Sequence, residues 1–113
     1  MRIIKEVEVE GKRAEALFDT GSLHTYVTRS LLEGVPIHHL LQPYKVAMGG
    51  KVIQVKEHCL INGKIEGLDF STHGIPIDDL GRVDGKNVDV LIGASTMEEW
   101  EIIPNPKDGT PHL

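Results

Sequence analysis

The sequence predicts a small all-β domain with one short helix near its C-terminal end, and three observations carry that prediction. Short runs rich in Val and Ile recur between glycines, and these β-branched residues favour a pleated, half-buried surface. Aromatic residues make up only 4% of the chain, so aliphatic side chains must build the core. Helical spacing is confined to Thr28 to Leu32 and Ala94 to Trp100.

Taken in order, Ile3 to Val9 alternates in part, and Gly11 offers a turn into a second run at Ala14 to Phe18. The pair reads as a hairpin whose second strand ends on Asp19. Thr28 to Leu32 spans one or two helical turns, stopped by Gly34 and Pro36. Tyr44 to Met48 and Val52 to Val55 bracket Gly49-Gly50-Lys51, a hairpin signal. His58 to Ile61 and Ile65 to Phe70 bracket Asn62-Gly63-Lys64, which reads as a second hairpin. Val88 to Ile92 is a strand, and Ala94 to Trp100 opens with the Ser/Thr-then-Glu pattern of a capped helix. Six to eight short strands are expected in all. The tail from Pro104 to Leu113 carries three prolines and a glycine and reads as extended or mobile.

The 113 residues suit one domain, with a core over about 3–103 and a Pro-rich tail over 104–113. A chain of this size buries roughly two-thirds of its unfolded surface, enough for a core without disulfides or metal. The net charge of −5, without a Lys/Arg cluster, argues against nucleic acid as a partner. No window approaches the roughly 20 apolar residues of a membrane helix, so no membrane partner is expected. The N-terminus lacks a signal peptide's apolar stretch. Cys59 is the single cysteine and fits a reducing cytoplasm as a buried thiol.

One segment is repeated in outline. Ala16-Leu17-Phe18-Asp19-Thr20-Gly21 is an apolar strand running into Gly, and Val90-Leu91-Ile92-Gly93-Ala94-Ser95 follows the same plan. Such a pair suits a pseudo-symmetric barrel in which backbones approach closely at the glycines. Asp-Thr-Gly alone also reads as a polar turn after a strand. Its company makes the difference: Phe18-Asp19-Thr20-Gly21-Ser22, then Lys45 to Val52 around Gly49-Gly50, then Asp89-Val90-Leu91-Ile92-Gly93. As a set, in order and spacing over roughly Ile3 to Ile103, these segments resemble the retropepsin-like aspartic proteases.

That resemblance implies a small closed barrel, an aspartic endopeptidase activity and a site built on Asp19. Two carboxylates about 3 Å apart cannot both ionise, so they share one proton, and aspartic proteases are the standard case. One member takes a proton from water while the other donates to the carbonyl oxygen. This chain holds Asp-Thr-Gly once, and the segment ending at Ile92-Gly93 has no Asp in the matching place. The second carboxylate must therefore be Asp19 of another copy, in a homodimer with one site on its two-fold axis. Thr20, by resemblance, braces the two loops, and Gly21 permits close backbone approach. Ser22 would donate to the neighbouring carboxylate and give a more acidic pH optimum than Ser22→Ala. Ala47, Met48, Gly49, Gly50 and Lys51 would form the flap over an extended peptide, and Leu91, Ile92 and Gly93 would support the site.

The other clusters carry no chemistry. His38 and His39 are adjacent and point to opposite faces of a strand, and His24, His58, His73 and His112 lack ligand spacing, so neither metal nor other cofactor is expected. Asp78, Asp79, Asp84 and Asp89 lack a calcium-loop register and read as a solvated acidic loop. Trp100 reads as a core or dimer anchor. An alternative reading is a non-catalytic dimeric, peptide- or protein-binding module with the same fold. It draws on the poor strand-forming tail and on a short flap with Lys51 near its tip.

Overall fold

Strands dominate the chain because its apolar residues alternate or run in short blocks between glycines. The computed structural model describes residues 2–105 and 110–112. Among these, β1 is Arg2–Val9, β2 Lys12–Asp19, β3 Tyr26–Thr28, β4 Ile37–Met48, β5 Lys51–Ile65 and β6 Leu68–Ile77. Two short strands follow, β7 (Arg82–Val83) and β8 (Lys86–Asn87), then β9 (Val90–Ile92), helix α1 (Ala94–Glu99), β10 (Ile103–Asn105) and β11 (Thr110–His112). A 3₁₀ turn at Arg29–Leu31 matches the expected helical turn. Eleven strands exceed the six to eight expected, because β7, β8, β10 and β11 are two or three residues long and carry no periodic signal.

The main sheet runs β1-β2-β9-β3-β6-β5-β4, and β1 also pairs with β5 through Val9 and Gly63. Six strands thus close into a ring, with β4 hanging from its β5 side. The all-β class with one short helix is the observed one. As the edge strand, β4 tolerates Pro43 and an irregular register between His39 and Tyr44, where Leu41 points fully into solvent.

Two apolar clusters lie on either side of β2 and β9. Ala14, Ala16 and Phe18 join the larger one with Val90 and Ile92, while Leu17 and Leu91 face the smaller one with Tyr26, Val55 and Ile75. Strands covered on both faces need apolar residues at successive positions, which is why Ala16-Leu17-Phe18 and Val90-Leu91-Ile92 do not alternate. Trp100 packs against the larger cluster and donates its indole N–H to the Ser71 carbonyl at 2.7 Å, a core role. Cys59 is buried, as expected.

The second hairpin does not turn at Asn62-Gly63. Those residues lie inside β5, and the chain reverses at Glu66-Gly67, both with positive φ (50° and 82°). That is the requirement of a type I′ turn, also met at Glu10-Gly11 and Gly49-Gly50. Gly63 has a packing role instead. It stands opposite Phe70, and a Cβ on it would lie 2.4 Å from Phe70 Cε1 and 2.9 Å from the Glu8 carbonyl oxygen. The absent side chain lets β1 close the ring beneath the Phe70 ring.

The tail also departs from expectation. Ile103–Asn105 pairs antiparallel with Thr110–His112, so two prolines sit in a short two-stranded ladder at the end of the chain. The remaining tail positions lie outside the described residues.

Gly63→Ala tests the packing account. Overpacking at this crossing should cost about 1–3 kcal/mol and lower the urea midpoint. An unchanged midpoint would mean that Gly63 serves no close approach.

Candidate functional site

Asp19 ends the strand that both clusters bury. Its carboxylate is consequently held where β2 emerges from the core, with 21% of its side chain exposed. The two segments that echo each other in sequence lie side by side. Ala16, Leu17 and Phe18 pair in parallel with Val90, Leu91 and Ile92. One step further along both strands, Asp19 comes level with Gly93, so the echo places no second acid beside it.

The carboxylate has two partners. Its Oδ1 accepts the Gly21 N–H at 2.9 Å, closing a tight turn. Its Oδ2 faces Arg2 Nε at 3.8 Å, across the first hairpin. Arg2 is 57% exposed, so this contact contributes about 0–1 kcal/mol. Asp19 opens into a cleft of about 420 Å³. Arg2, Leu17, Gly21, Ser22 and Leu91 form its floor with Asp19. Ala47, Met48, Gly49 and Lys51, at the tip of the β4–β5 hairpin, form one wall. Asp79, Leu80, Gly81 and Val83 form another.

The floor rests on a layer of backbone contacts and hydroxyls. Gly93 packs against the loop after Asp19 so closely that a Cβ would lie 2.2 Å from the His24 carbonyl oxygen. The Ala94 N–H donates to the Ser22 carbonyl at 2.7 Å, and the Ser95 N–H to Leu23 at 3.2 Å. Thr25 Oγ1 accepts the Gly93 N–H at 3.0 Å and lies 2.7 Å from Thr96 Oγ1, which is 2.8 Å from Thr72 Oγ1. Three buried hydroxyls on three elements thus satisfy one another. Helix α1 is capped by Gly93 without a side-chain bond, contrary to the expected Ser/Thr cap. Thr96 is turned inward to the network instead.

Two further expectations are corrected. Ser22 Oγ donates to the His24 carbonyl at 3.1 Å and not to the carboxylate of Asp19, whose Oδ1 accepts the Gly21 N–H. Asp89 is a clamp and not part of a solvated loop. Its Oδ2 accepts the Glu15 N–H at 2.8 Å, and its carbonyl accepts both the N–H and the hydroxyl of Thr28 at 3.0 Å.

The structure therefore gathers Asp19, Gly21, Ser22, Ala47, Met48, Gly49, Lys51 and Leu91 at one cleft. Gly50 is at the tip of the β4–β5 hairpin, Ile92 lies buried behind the floor and Gly93 beneath it. Thr20 lines a separate, largely apolar hollow of about 590 Å³ with Ala94, Met97, Ile102 and Ile103, whose lining also holds Glu98 and Glu101. Sequence reasoning missed Arg2 and the Asp79–Val83 wall. Arg2 was within reach: a two-residue turn at Glu10-Gly11 pairs Val9 with Lys12 and carries the register to Arg2 opposite Asp19. The wall has no comparable local signal. Among the described residues, no group of His, Cys, Asp or Glu is arranged to hold a metal, and no helix is long and apolar enough to cross a membrane.

A family model described as aspartyl protease matches residues 5–96. Among solved structures, the chain is similar to the retroviral protease-like domain of Ddi1 from Leishmania major, with a TM-score of 0.65 and 13% identity over 100% of this chain and 88% of that one. It is also similar to the simian foamy virus (mac) protease, with a TM-score of 0.56 and 17% identity over 93% and 100% of the two chains. EIAV protease, solved with the inhibitor HBY-793, gives a TM-score of 0.57 and 16% identity over 89% of each chain. No curated protein sequence matches the chain.

Two substitutions probe the supporting layer. Ser22→Ala removes one partly buried neutral hydrogen bond and should cost about 1 kcal/mol in urea denaturation. Thr96→Val keeps the shape but removes the hydroxyl that Thr25 and Thr72 share, and should cost more, about 1–3 kcal/mol. Equal costs would argue against a shared network.

Proposed function

Because the chain belongs to the retropepsin-like aspartyl protease family, we propose that it is an endopeptidase that works as a homodimer, with one Asp19 from each copy forming the catalytic pair. The observation that carries this reading is the position of Asp19, on the floor of a cleft beneath a hairpin tip. A single Asp-Thr-Gly per chain supports the dimer, since acid and base roles in the same step need two carboxylates. The exposed Thr20 and the largely apolar hollow beside it, with Glu98 and Glu101 also in its lining, support a second copy packing there.

In the proposed site the two Asp19 carboxylates share a proton. The ionised member accepts a proton from a water as that water's oxygen attacks the peptide carbonyl. The protonated member donates to the carbonyl oxygen, giving a neutral tetrahedral adduct. Collapse of that adduct breaks the C–N bond, with a proton passing to the leaving amine. Gly21 holds Asp19 Oδ1 in place through its N–H. Met48 and Gly49 close over the substrate and exclude water, while Leu17, Leu80, Val83 and Leu91 offer apolar contacts to side chains flanking the cut. We read the chain as a single unit of this kind, and its lone buried thiol supports a reducing, cytoplasmic setting.

The test uses purified protein and an Asp19→Ala control with an unfolded substrate from about pH 3 to 7, the range where a carboxylate pair titrates. Wild type should cleave, with activity per mole rising with protein concentration as dimers form. The control should lose roughly 10²-fold or more. Dimers by sedimentation with no cleavage at any pH would overturn the reading and favour the binding module.

A further inference from the structure

A second group of titratable side chains lies at the base of the flap and takes no part in the proposed chemistry. Tyr44 on β4 and His58 on β5 meet across the hairpin, with Tyr44 Oη 2.6 Å from His58 Nε2 and the rings edge to face at 86° and 5.7 Å. His24, from the loop that follows Asp19, stands 6.3 Å from the Tyr44 ring and 6.4 Å from Tyr26. His73 on β6 closes the group around a cavity of about 60 Å³. Side chains of the flap hairpin, the Asp19 loop and β6 therefore converge at one point.

The protonation states follow from the surroundings. Burial raises the Tyr44 phenol, which keeps its proton and shares a hydrogen bond with His58 Nε2. Burial lowers His58 from the ordinary histidine value of 6.5, and His73, His24 and His38 add like-charge repulsion. His38 faces His58 directly across the β4–β5 ladder. No carboxylate lines the cavity. Glu57, the neighbour of His58, is engaged elsewhere, 2.7 Å from Arg29 Nη2 and 3.6 Å from His39 Nδ1. A proton on His58 would thus place a cation in a partly buried site among other imidazoles and without a counter-charge.

We infer that Tyr44 and His58 form a latch that pins the two strands of the flap hairpin together at its base, with His24 of the loop after Asp19 packed against Tyr44, and that acidification opens it. Because the folded value of His58 is the lower one, the unfolded or opened form binds more protons below about pH 6.5. The latch is at full strength above that pH and weakens as pH falls from there towards the folded value. The flap, a long edge hairpin, is the element it releases.

Hydrogen exchange of the flap amides, as protection factors at pH 7.5 and pH 5.5, tests this without reference to hydrolysis. It can be run on the Asp19→Ala protein, so failure of the proposed activity leaves the result readable. Flap protection in residues 44–55 should fall several-fold on acidification, and by no more than about tenfold because pH 5.5 lies about one unit below the ordinary histidine value, while β2 and β9 stay protected. His58→Phe keeps an aromatic ring but cannot titrate, and its flap protection should be low and insensitive to pH. Tyr44→Phe should lower protection at pH 7.5 with the fold intact. Flap protection that is constant with pH in the parent protein, or a fall that persists in His58→Phe, overturns the inference.

Discussion

The close approach of Gly93 to the His24 carbonyl governs the candidate site. Only a residue without a Cβ fits there, since the added atom would lie 2.2 Å from that oxygen. This contact seats the start of α1 against the loop after Asp19 and lets Ala94 and Ser95 donate to the Ser22 and Leu23 carbonyls. The loop has little regular structure of its own, so its shape is imposed by a segment distant in sequence. Asp19 is placed because that segment cannot move away without breaking these bonds.

Around this contact the chain separates rigid from movable parts. Residues 16–18 of β2 and all of β9 are apolar on both faces and lie between two clusters, so the strand end bearing Asp19 is among the most constrained. The three-threonine network ties loop, β6 and helix together in a dry setting, where an unpaired hydroxyl is costly. The flap is the opposite case. It stands at the edge of the sheet, with one side of β4 unpaired and a break in register at its base. Substrate access through a movable wall onto a fixed floor is what such a division allows.

Much of this was legible in the chain itself. Two glycine-ended apolar runs and a Gly-Gly hairpin located Asp19, the flap and Gly93, because each feature follows from local backbone chemistry. The misreadings have a common cause. Asn62-Gly63 looks like a turn, but Gly63 was needed where β1 meets β5 under Phe70. Ser95 and Thr96 look like caps, but Thr96 is drawn inward by Thr25 and Thr72. Asp89 looks solvated, but it clamps Glu15 and Thr28. In each case a short polar or glycine residue has several local uses, and a partner far along the chain selects one.

The sequence by itself determined the all-β class, the strand that carries Asp19, the Gly49-Gly50 hairpin and the absence of a second Asp-Thr-Gly. These are properties of hydrophobic pattern, turn chemistry and composition, which act over a few residues. Only the tertiary structure decided that the two echoing segments pair in parallel, that Arg2 and the Asp79–Val83 loop share the cleft, and that three histidines gather beneath the flap. Those arrangements depend on how a ring of strands closes. Closure brings together side chains whose separation along the chain carries no local signal.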